Sequence, residues 1–115
     1  MPSKTFERFD VVVVPFPFTD KASTKRRPAV VLSGGASFNR ASKHAVLAMV
    51  TSATERAWPR DVQIADLGSA GLNVPCAVRF KLFTLDERLI VRKAGSLAAK
   101  DRKAVTEATR SLFLA

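Results

Sequence analysis

Two adjacent arginines next to a proline are the residues of this chain best suited to chemistry. Arg26 and Arg27 directly precede Pro28, which fixes its own φ and biases the residue before it toward an extended backbone. The apolar run over residues 29–32 predicts a buried strand, which would hold both guanidinium groups at its open end. Because a guanidinium stays charged and matches phosphate geometry, the arrangement suggests phosphate binding. The alternative is a solvated loop with two spare charges, which residue type alone favours because exposed arginine pairs are common.

Two further groups of residues are suited to contacts with a nucleic acid. Thr51 and Ser52 place two hydroxyl groups at the end of a strand predicted over residues 45–50. Trp58 lies between two arginines in a loop predicted over residues 53–60, and an aromatic ring among basic side chains suits stacking on an unpaired base. The same ring could equally anchor the loop over one end of the sheet.

Composition limits the class of protein. The chain has 115 residues, of which 47% are hydrophobic, so we expect one packed domain over residues 1–115. No apolar run is as long as a transmembrane helix, and charges occupy the first ten residues where a signal peptide would be apolar. One cysteine and one histidine argue against disulfides and against cysteine- or histidine-rich metal sites. We therefore expect a cytoplasmic protein without a metal or other cofactor.

The charge of the chain points to an acidic partner. Nineteen Lys and Arg residues against ten Asp and Glu residues give a formal net charge of +9. The basic residues are spread along the chain and form no basic tail, so the signal is an overall positive field. Such a field favours polyanions or an acidic protein, and does not distinguish between them.

The elements that must position these residues are mainly strands. Apolar runs bounded by proline, glycine and polar residues predict strands over residues 9–14, 29–32, 45–50, 62–65, 74–81 and 89–94. We expect Pro15 and Pro17 to end the first strand, since each removes a backbone donor. The valine run before them suits a strand that is buried on both faces.

Helical patterns and turns complete the prediction. Residues 36–43 predict a short helix, whose candidate capping residues are Ser37, Asn39 and Ser42. Turns are predicted over residues 66–73 and 83–88. From Leu97 onward apolar residues recur at three- and four-residue spacing, and Asp101 in the first turn suits the helix dipole. We therefore predict a mainly β fold with α, in which five to seven short strands and a C-terminal helix form a bent sheet or open barrel.

In this order and at this spacing, the motifs resemble the MazF/PemK toxins of bacterial type II toxin–antitoxin systems. The matching segments are residues 9–16, 26–33, Val50-Thr51-Ser52, Pro75, Arg79, residues 84–89 and residues 95–97. They cover nearly the whole chain, and the arginine–proline strand together with the threonine motif is fairly specific. The resemblance implies a compact SH3-like barrel, of the type shared with the CcdB toxins, which usually forms a homodimer.

The resemblance also implies an activity and a partner. The activity is sequence-specific, metal-independent cleavage of single-stranded RNA by attack of the 2′-hydroxyl, and the partner is a cognate antitoxin whose acidic C-terminal segment folds over the toxin. Arg27 matches the family's catalytic arginine and would stabilise the transition state. Thr51 matches a threonine of the family that would form a hydrogen bond with the phosphate or the attacking oxygen. The residues expected to bind RNA around this pair are Arg26, Ser52, Trp58 and Arg79. The loops over residues 16–25 and 53–60 are expected to select the RNA sequence.

Departures from the family pattern keep alternatives open. Arg79 has no acidic residue beside it on its strand, and Arg26 stands where some members carry a histidine, so the general base is not identified. We interpret His44 as structural or exposed, since nothing near it in sequence orients it. One alternative is a toxin of the same fold that binds a protein such as DNA gyrase through its C-terminal helix. The other is a non-catalytic relative that binds nucleic acid by charge alone.

Overall fold

The computed structural model describes residues 5–16, 25–54 and 56–115. Within them, a sheet of order β4-β5-β3-β2-β1-β6, antiparallel at every pair, curls into a half-barrel against a C-terminal helix. The strands are β1 Asp10–Phe16, β2 Lys25–Val31, β3 His44–Ser52, β4 Val62–Gln63, β5 Cys76–Asp86 and β6 Arg92–Ser96. The helices are α1 Arg40–Ser42, which continues a π-helical turn over Gly35–Asn39, α2 Leu67–Ala70 and α3 Ala99–Leu114, with a 3-10 turn at Glu87–Leu89. The predicted fold class is confirmed. None of the helices in the described residues is long and apolar enough to span a membrane.

The sheet is buried on both faces. Side chains on one face pack with Val105 of α3 in a cluster, here called the α3 core, that includes Val11, Val30, Val50 and Val78. Side chains on the other face pack with Phe6 in a second cluster, here called the Phe6 core, that includes Val12, Val14, Ala29, Leu47 and Met49. Val11 therefore enters the α3 core and Val12 and Val14 enter the Phe6 core, as the two-sided burial predicted for this strand requires.

The prediction that Pro15 ends the first strand is wrong. β1 continues through Pro15 to Phe16, and both residues pair with β2. The carbonyl of Val13 accepts from the N–H of Val91 just before β6, so Pro15, two residues further on, directs its nitrogen to the same side. The last pair between β1 and β6 is Val13↔Arg92, so Pro15 breaks no hydrogen bond to β6 by lacking an N–H. Pro17 lies outside the described residues.

The predicted turns over residues 66–73 and 83–88 differ from the structure. The first contains α2, whose N-terminus is capped by the Asp66 carboxylate accepting from the N–H of Ser69. Across the second, β5 runs on to Asp86, because its C-terminal half pairs with the first residues of β3 from His44↔Asp86 onward. The register between β3 and β5 shifts between Ala48 and Met49, so β5 continues as one strand although its regular pairing is interrupted there.

The helix predicted over residues 36–43 is present, but its predicted caps are not. No side chain caps the N-terminus of either helical turn. The Asn39 side chain is buried instead, and its Nδ2 donates to the carbonyls of Phe6 (2.7 Å) and Ser33 (3.1 Å). Ser42 Oγ donates to the carbonyl of Phe38 at the other end of the segment. The polar residues therefore fasten the segment to its neighbours.

Asp101 does more than complement the dipole of α3. Its side chain is 2% exposed, and its two carboxylate oxygens accept from the backbone N–H groups of Ala65 (2.8 Å) and Asp66 (3.0 Å). A buried carboxylate needs such donors, because leaving it unpaired would be costly. The contact fixes the segment between β4 and α2 to the first turn of α3.

Two glycines allow α2 to lie against β6. Gly71, which follows α2, has a φ of 74°, and a Cβ there would collide with the backbone of Ala94. A Cβ on Gly95 of β6 would collide with the backbone of Ser69 and Ala70. This close approach places the chain that follows Gly71 beside β6, where it forms a wall of the cavity described next.

Candidate functional site

β2 and β3 separate at the residues predicted to be functional. Their pairing stops at Ala29↔Met49. The N–H of Leu32 donates to the carbonyl of Val46 in β3, so every second residue of β2 from Leu32 backwards directs its backbone groups to β3. Pro28 is one of these residues and has no N–H to donate. The ladder of hydrogen bonds between β2 and β3 therefore ends at Pro28.

The two arginines lie inside β2, not in a loop before it as the sequence indicated. β2 begins at Lys25, and Arg26 and Arg27 pair with residues of β1. The Arg27 guanidinium carbon lies 5.7 Å from the centre of the Phe16 ring. If the register of β2 and β3 continued beyond its last pair, Arg27 would lie opposite Thr51. The backbone of β1 thus holds both arginines at the gap between β2 and β3.

A cavity of about 450 Å³ occupies this gap. It is lined by four of the predicted site residues, namely Arg26, Arg27, Thr51 and Ser52. Its other lining residues are Val13, Pro28, Val50, residues 71–74, Cys76, and Arg92 and Ala94 of β6. The structure therefore brings together the predicted catalytic pair and two of the predicted RNA-binding residues.

Within the cavity these four residues form two pairs on opposite faces of the sheet. Arg27 pairs with Val14, and Thr51 follows Met49 at a spacing of two, so both lie on the face of the Phe6 core. Arg26 alternates with Arg27, and Ser52 pairs with Cys76 of the α3 core, so both lie on the other face. The gap between the strands joins the two pairs.

Arg92 is a site residue that the sequence analysis missed. It lies in β6, pairs with Val13 of β1, and adds a third arginine to the cavity lining. Its neighbours in the chain, Val91 and Lys93, gave no indication of this position, because it depends on β6 pairing with β1. Three arginines around one cavity make it a strong anion-attracting site.

The cavity offers no evident proton acceptor. Among the described residues that line it there is no carboxylate and no imidazole. His44 lies at the start of β3, where its Nδ1 is 2.9 Å from the carbonyl of Ser42. Cys76 is in the lining, but burial raises the pKa of its thiol, and Sγ donates to the carbonyl of Val74 at 3.1 Å. The described residues contain no cluster of three or more His, Cys, Asp or Glu side chains that could hold a metal ion.

Arg79 and Trp58, the other predicted RNA-binding residues, do not line the cavity. They contact each other, since the Arg79 guanidinium carbon lies 5.0 Å from the centre of the Trp58 ring. Arg79 also forms an ion pair with Asp61 at 3.0 Å. The strand of Arg79 has no acidic residue beside it, and its acidic partner is Asp61, 18 positions earlier in the chain.

Asp61 is ionised in this cluster. Burial acts to raise the pKa of its carboxyl, but the hydrogen bond from Arg79, the N–H of Trp58 and the charge of Arg79 together outweigh burial and lower that pKa. A carboxylate with a lowered pKa is a weak proton acceptor. Asp61 is therefore unsuited to act as a general base.

A comparison with known sequences decides the family. The family model described as "PemK-like, MazF-like toxin of type II toxin-antitoxin system" matches residues 7–113. The chain belongs to this family. No curated protein matches this MazF-like toxin.

Solved structures confirm the fold of the MazF-like toxin. It is similar to MazF in the MazE–MazF complex of Deinococcus radiodurans, with a TM-score of 0.73 at 23% identity over 97% of this chain and 98% of that one. It is similar to the Mycobacterium tuberculosis toxin MazF-mt6, with a TM-score of 0.69 at 23% identity over 90% and 95% of the two chains. It is also similar to a mycobacterial endoribonuclease in complex with its cognate antitoxin, with a TM-score of 0.70 at 14% identity over 95% and 93%.

Proposed function

We propose that this MazF-like toxin is a sequence-specific endoribonuclease that cleaves single-stranded RNA without a metal ion. The observation that carries the proposal is the placement of Arg27 and Thr51 on one face of the sheet, at the gap that Pro28 leaves between β2 and β3. A guanidinium and a hydroxyl held by two strands provide donors whose positions are set before the substrate binds. Such preorganised donors stabilise the charge of a phosphoryl transition state without reorganising.

RNA supplies its own nucleophile. The 2′-oxygen loses its proton to water and forms a bond to the adjacent phosphorus, while the bond from phosphorus to the 5′-oxygen breaks and that oxygen gains a proton from water. The products are a 2′,3′-cyclic phosphate and a 5′-hydroxyl. Arg27 would stabilise the added negative charge, and Thr51 would donate to a phosphate oxygen. Removing one such donor costs on the order of 10²–10³ in rate.

The remaining arginines of the cavity extend the positive surface. Arg26 lies on the opposite face of the sheet from Arg27, and Arg92 lies on β6, which pairs with β1, so both would attract the RNA backbone without acting at the scissile phosphate. Ser52 lies beside Arg26 on the same face and would add a hydroxyl donor.

An antitoxin is the expected protein partner. The net charge of +9 suits an acidic segment as well as RNA. The similar Deinococcus radiodurans MazF was solved with MazE, and the similar mycobacterial endoribonuclease was solved with its cognate antitoxin. We propose that the chain forms a homodimer in the cytoplasm, where an antitoxin with an acidic C-terminal segment neutralises it.

Cleavage in the presence of EDTA tests the activity. Purified protein is incubated with a mixed-sequence single-stranded RNA, and the fragments are mapped and assayed for 5′-hydroxyl ends by phosphorylation with polynucleotide kinase. We expect discrete fragments, and a loss of about 10²–10³ in rate for Arg27→Ala. Arg40→Ala is the matched control, because Arg40 is an exposed arginine of α1 that does not line the cavity. RNA that stays intact, or equal cleavage by the Arg27→Ala protein, would refute the proposal.

The end of α3 favours one second candidate, a toxin that binds a protein target and cleaves nothing. Leu112, Phe113 and Leu114 form an exposed apolar end of this helix. A binding toxin that used this end would remain toxic as Arg27→Ala and lose toxicity when these three side chains were replaced by serine. The ribonuclease proposal expects the opposite result for Arg27→Ala.

A further inference from the structure

Asp61 holds Trp58 next to Arg79, because its carboxylate accepts hydrogen bonds from both residues. The N–H of Trp58 donates to Asp61 Oδ2 at 2.9 Å, and the N–H of Asp61 donates to the carbonyl of Trp58 at 3.2 Å. Arg79 donates to the same carboxylate through two nitrogens, at 3.0 Å from Nη2 and 3.3 Å from Nε. Its Nη2 also donates to the carbonyl of Arg56. Side chain and backbone therefore both fix the orientation of the loop around Trp58.

The residues of this cluster differ in exposure, since Arg79 and Asp61 are largely buried and Trp58 is partly exposed. The Arg79 and Asp61 side chains are only 12% and 11% exposed, so their ion pair is largely shielded from solvent. Trp58 is 45% exposed and belongs to neither core of the sheet. The guanidinium supports the ring, and a large part of the indole faces solvent. A large exposed aromatic side chain fixed in this way is poorly explained as a loop anchor, because an anchor would bury its ring.

The strand register places this ring next to the candidate catalytic residues. Arg79 of β5 pairs with Met49 of β3, and Thr51 pairs with Ala77. Arg79 and Thr51 are therefore diagonal neighbours on the same face of the sheet, with Cα atoms about 7–8 Å apart. Trp58 lies on Arg79, so its exposed ring flanks the face on which Thr51 and Arg27 meet the gap.

We propose that Trp58 is a stacking platform for an unpaired base adjacent to the scissile phosphate, and that Asp61 and Arg79 are positioning residues that hold it. The proposal rests on the proposed function and adds to it the subsite and the class of ligand, a base of single-stranded nucleic acid. Arg79 acts through Trp58 and does not contact the RNA, which replaces the direct contact expected from the sequence. Stacking of one base on an aromatic side chain contributes enough that its removal lowers affinity about 5- to 150-fold.

The chain contains a single tryptophan and no tyrosine, so its intrinsic tryptophan fluorescence reports on Trp58 alone. The probe is a mixed-sequence single-stranded RNA, titrated into the Arg27→Ala protein so that cleavage does not disturb the equilibrium. We expect the fluorescence to be quenched as the RNA binds, because a base stacked on the indole alters its excited state. We also expect that an RNA duplex of the same sequence, whose bases are already stacked, gives much less quenching.

Substitutions separate stacking from a structural role. In the same background Trp58→Ala should weaken binding of the single strand about 5- to 150-fold, and Trp58→Phe should restore most of it. Asp61→Asn keeps the shape of the side chain but leaves the shielded Arg79 guanidinium without its carboxylate, so it should reduce the quenching in a protein that is less stable but still folded at the temperature of the titration. Phe38→Ala is the matched control, because Phe38 is another exposed aromatic residue (40% exposed) that lies on the π-helical turn outside the cavity lining. Its removal should leave affinity unchanged.

The outcomes distinguish this proposal from the proposed function. RNA binding without quenching, or an unchanged affinity of Trp58→Ala, would overturn the stacking platform even if the protein cleaves RNA. Quenching and a Trp58-dependent affinity in a wild-type protein that cleaves nothing would support the platform and refute the ribonuclease. If the wild-type protein fails to bind single-stranded RNA at all, both proposals are wrong.

Discussion

Replacing Pro28 with alanine tests whether the missing backbone donor keeps β2 and β3 apart. The new amide at position 28 would point at β3, because every second residue of β2 back from Leu32 directs its backbone groups there. Continuing the register places the carbonyl of Val50 opposite it. We expect Pro28→Ala to extend the ladder by at least one hydrogen bond and to narrow the gap between Arg27 and Thr51.

The expected change in stability is small. A new backbone hydrogen bond contributes a net stabilisation of about 0.5–1.5 kcal/mol. Replacing proline restores freedom to the unfolded chain, which costs about 0.4–1 kcal/mol. These effects oppose each other, so the free energy of unfolding should change by no more than about 1 kcal/mol. The rate of cleavage should change far more, because a shift of about 1 Å in a catalytic group can cost on the order of 10²-fold.

Hydrogen exchange measured by NMR is the direct assay, since the new amide either becomes protected or does not. Pro15→Ala is the matched control, because its new amide would point away from β2, to the side where β6 no longer pairs with β1. We expect protection at position 28, none at position 15, and a loss of cleavage only in Pro28→Ala. An amide at position 28 that exchanges as fast as the one at position 15 would show that proline is not what separates the strands.

Three further outcomes follow from single contacts. Arg92→Ala should weaken RNA binding and reduce its dependence on salt concentration, measured as the slope of log K against log salt, while the cleavage products stay the same. Asp101→Ala leaves two backbone donors without their carboxylate and should lower the free energy of unfolding by about 2–4 kcal/mol in urea denaturation, whereas Asp101→Asn, which can still accept one bond, should lose less. Cys76 should react with a thiol reagent at pH 8 far more slowly in the folded than in the unfolded protein, because burial raises its pKa and restricts access; equal rates would contradict the burial of its side chain.

The strands and the helix were predictable where the sequence carries a strong period. The valines of β1 and the apolar spacing of α3 identify those elements within a residue or two. The bounds of β5 were not predictable, because its last residues become a strand through pairing with β3 and not through a pattern of their own. Likewise, a proline generally ends a strand, but β1 continues through Pro15 because β6 has already stopped pairing with β1 at that point.

The candidate site divides in the same way. Arg26, Arg27, Thr51 and Ser52 lie in motifs that are continuous in the chain, and the structure brings all four to one cavity. Arg92 and Asp61 reach their positions only through strand order and loop packing. A sequence pattern contains no information on which distant residue arrives beside a given side chain, so both were missed. The one signal for Asp61 was its closeness to Trp58 in the chain.

The two glycines between α2 and β6 have a genetic consequence. Any substitution at Gly71 or Gly95 adds at least a Cβ, and that atom would collide with backbone which a change of rotamer cannot move. A cell that must survive expression of this chain without an antitoxin can therefore disarm it at two codons that encode no functional group. Escape mutants selected in culture should cluster at Gly71 and Gly95 as well as at Arg27, and those at the glycines should be recovered with many different replacements.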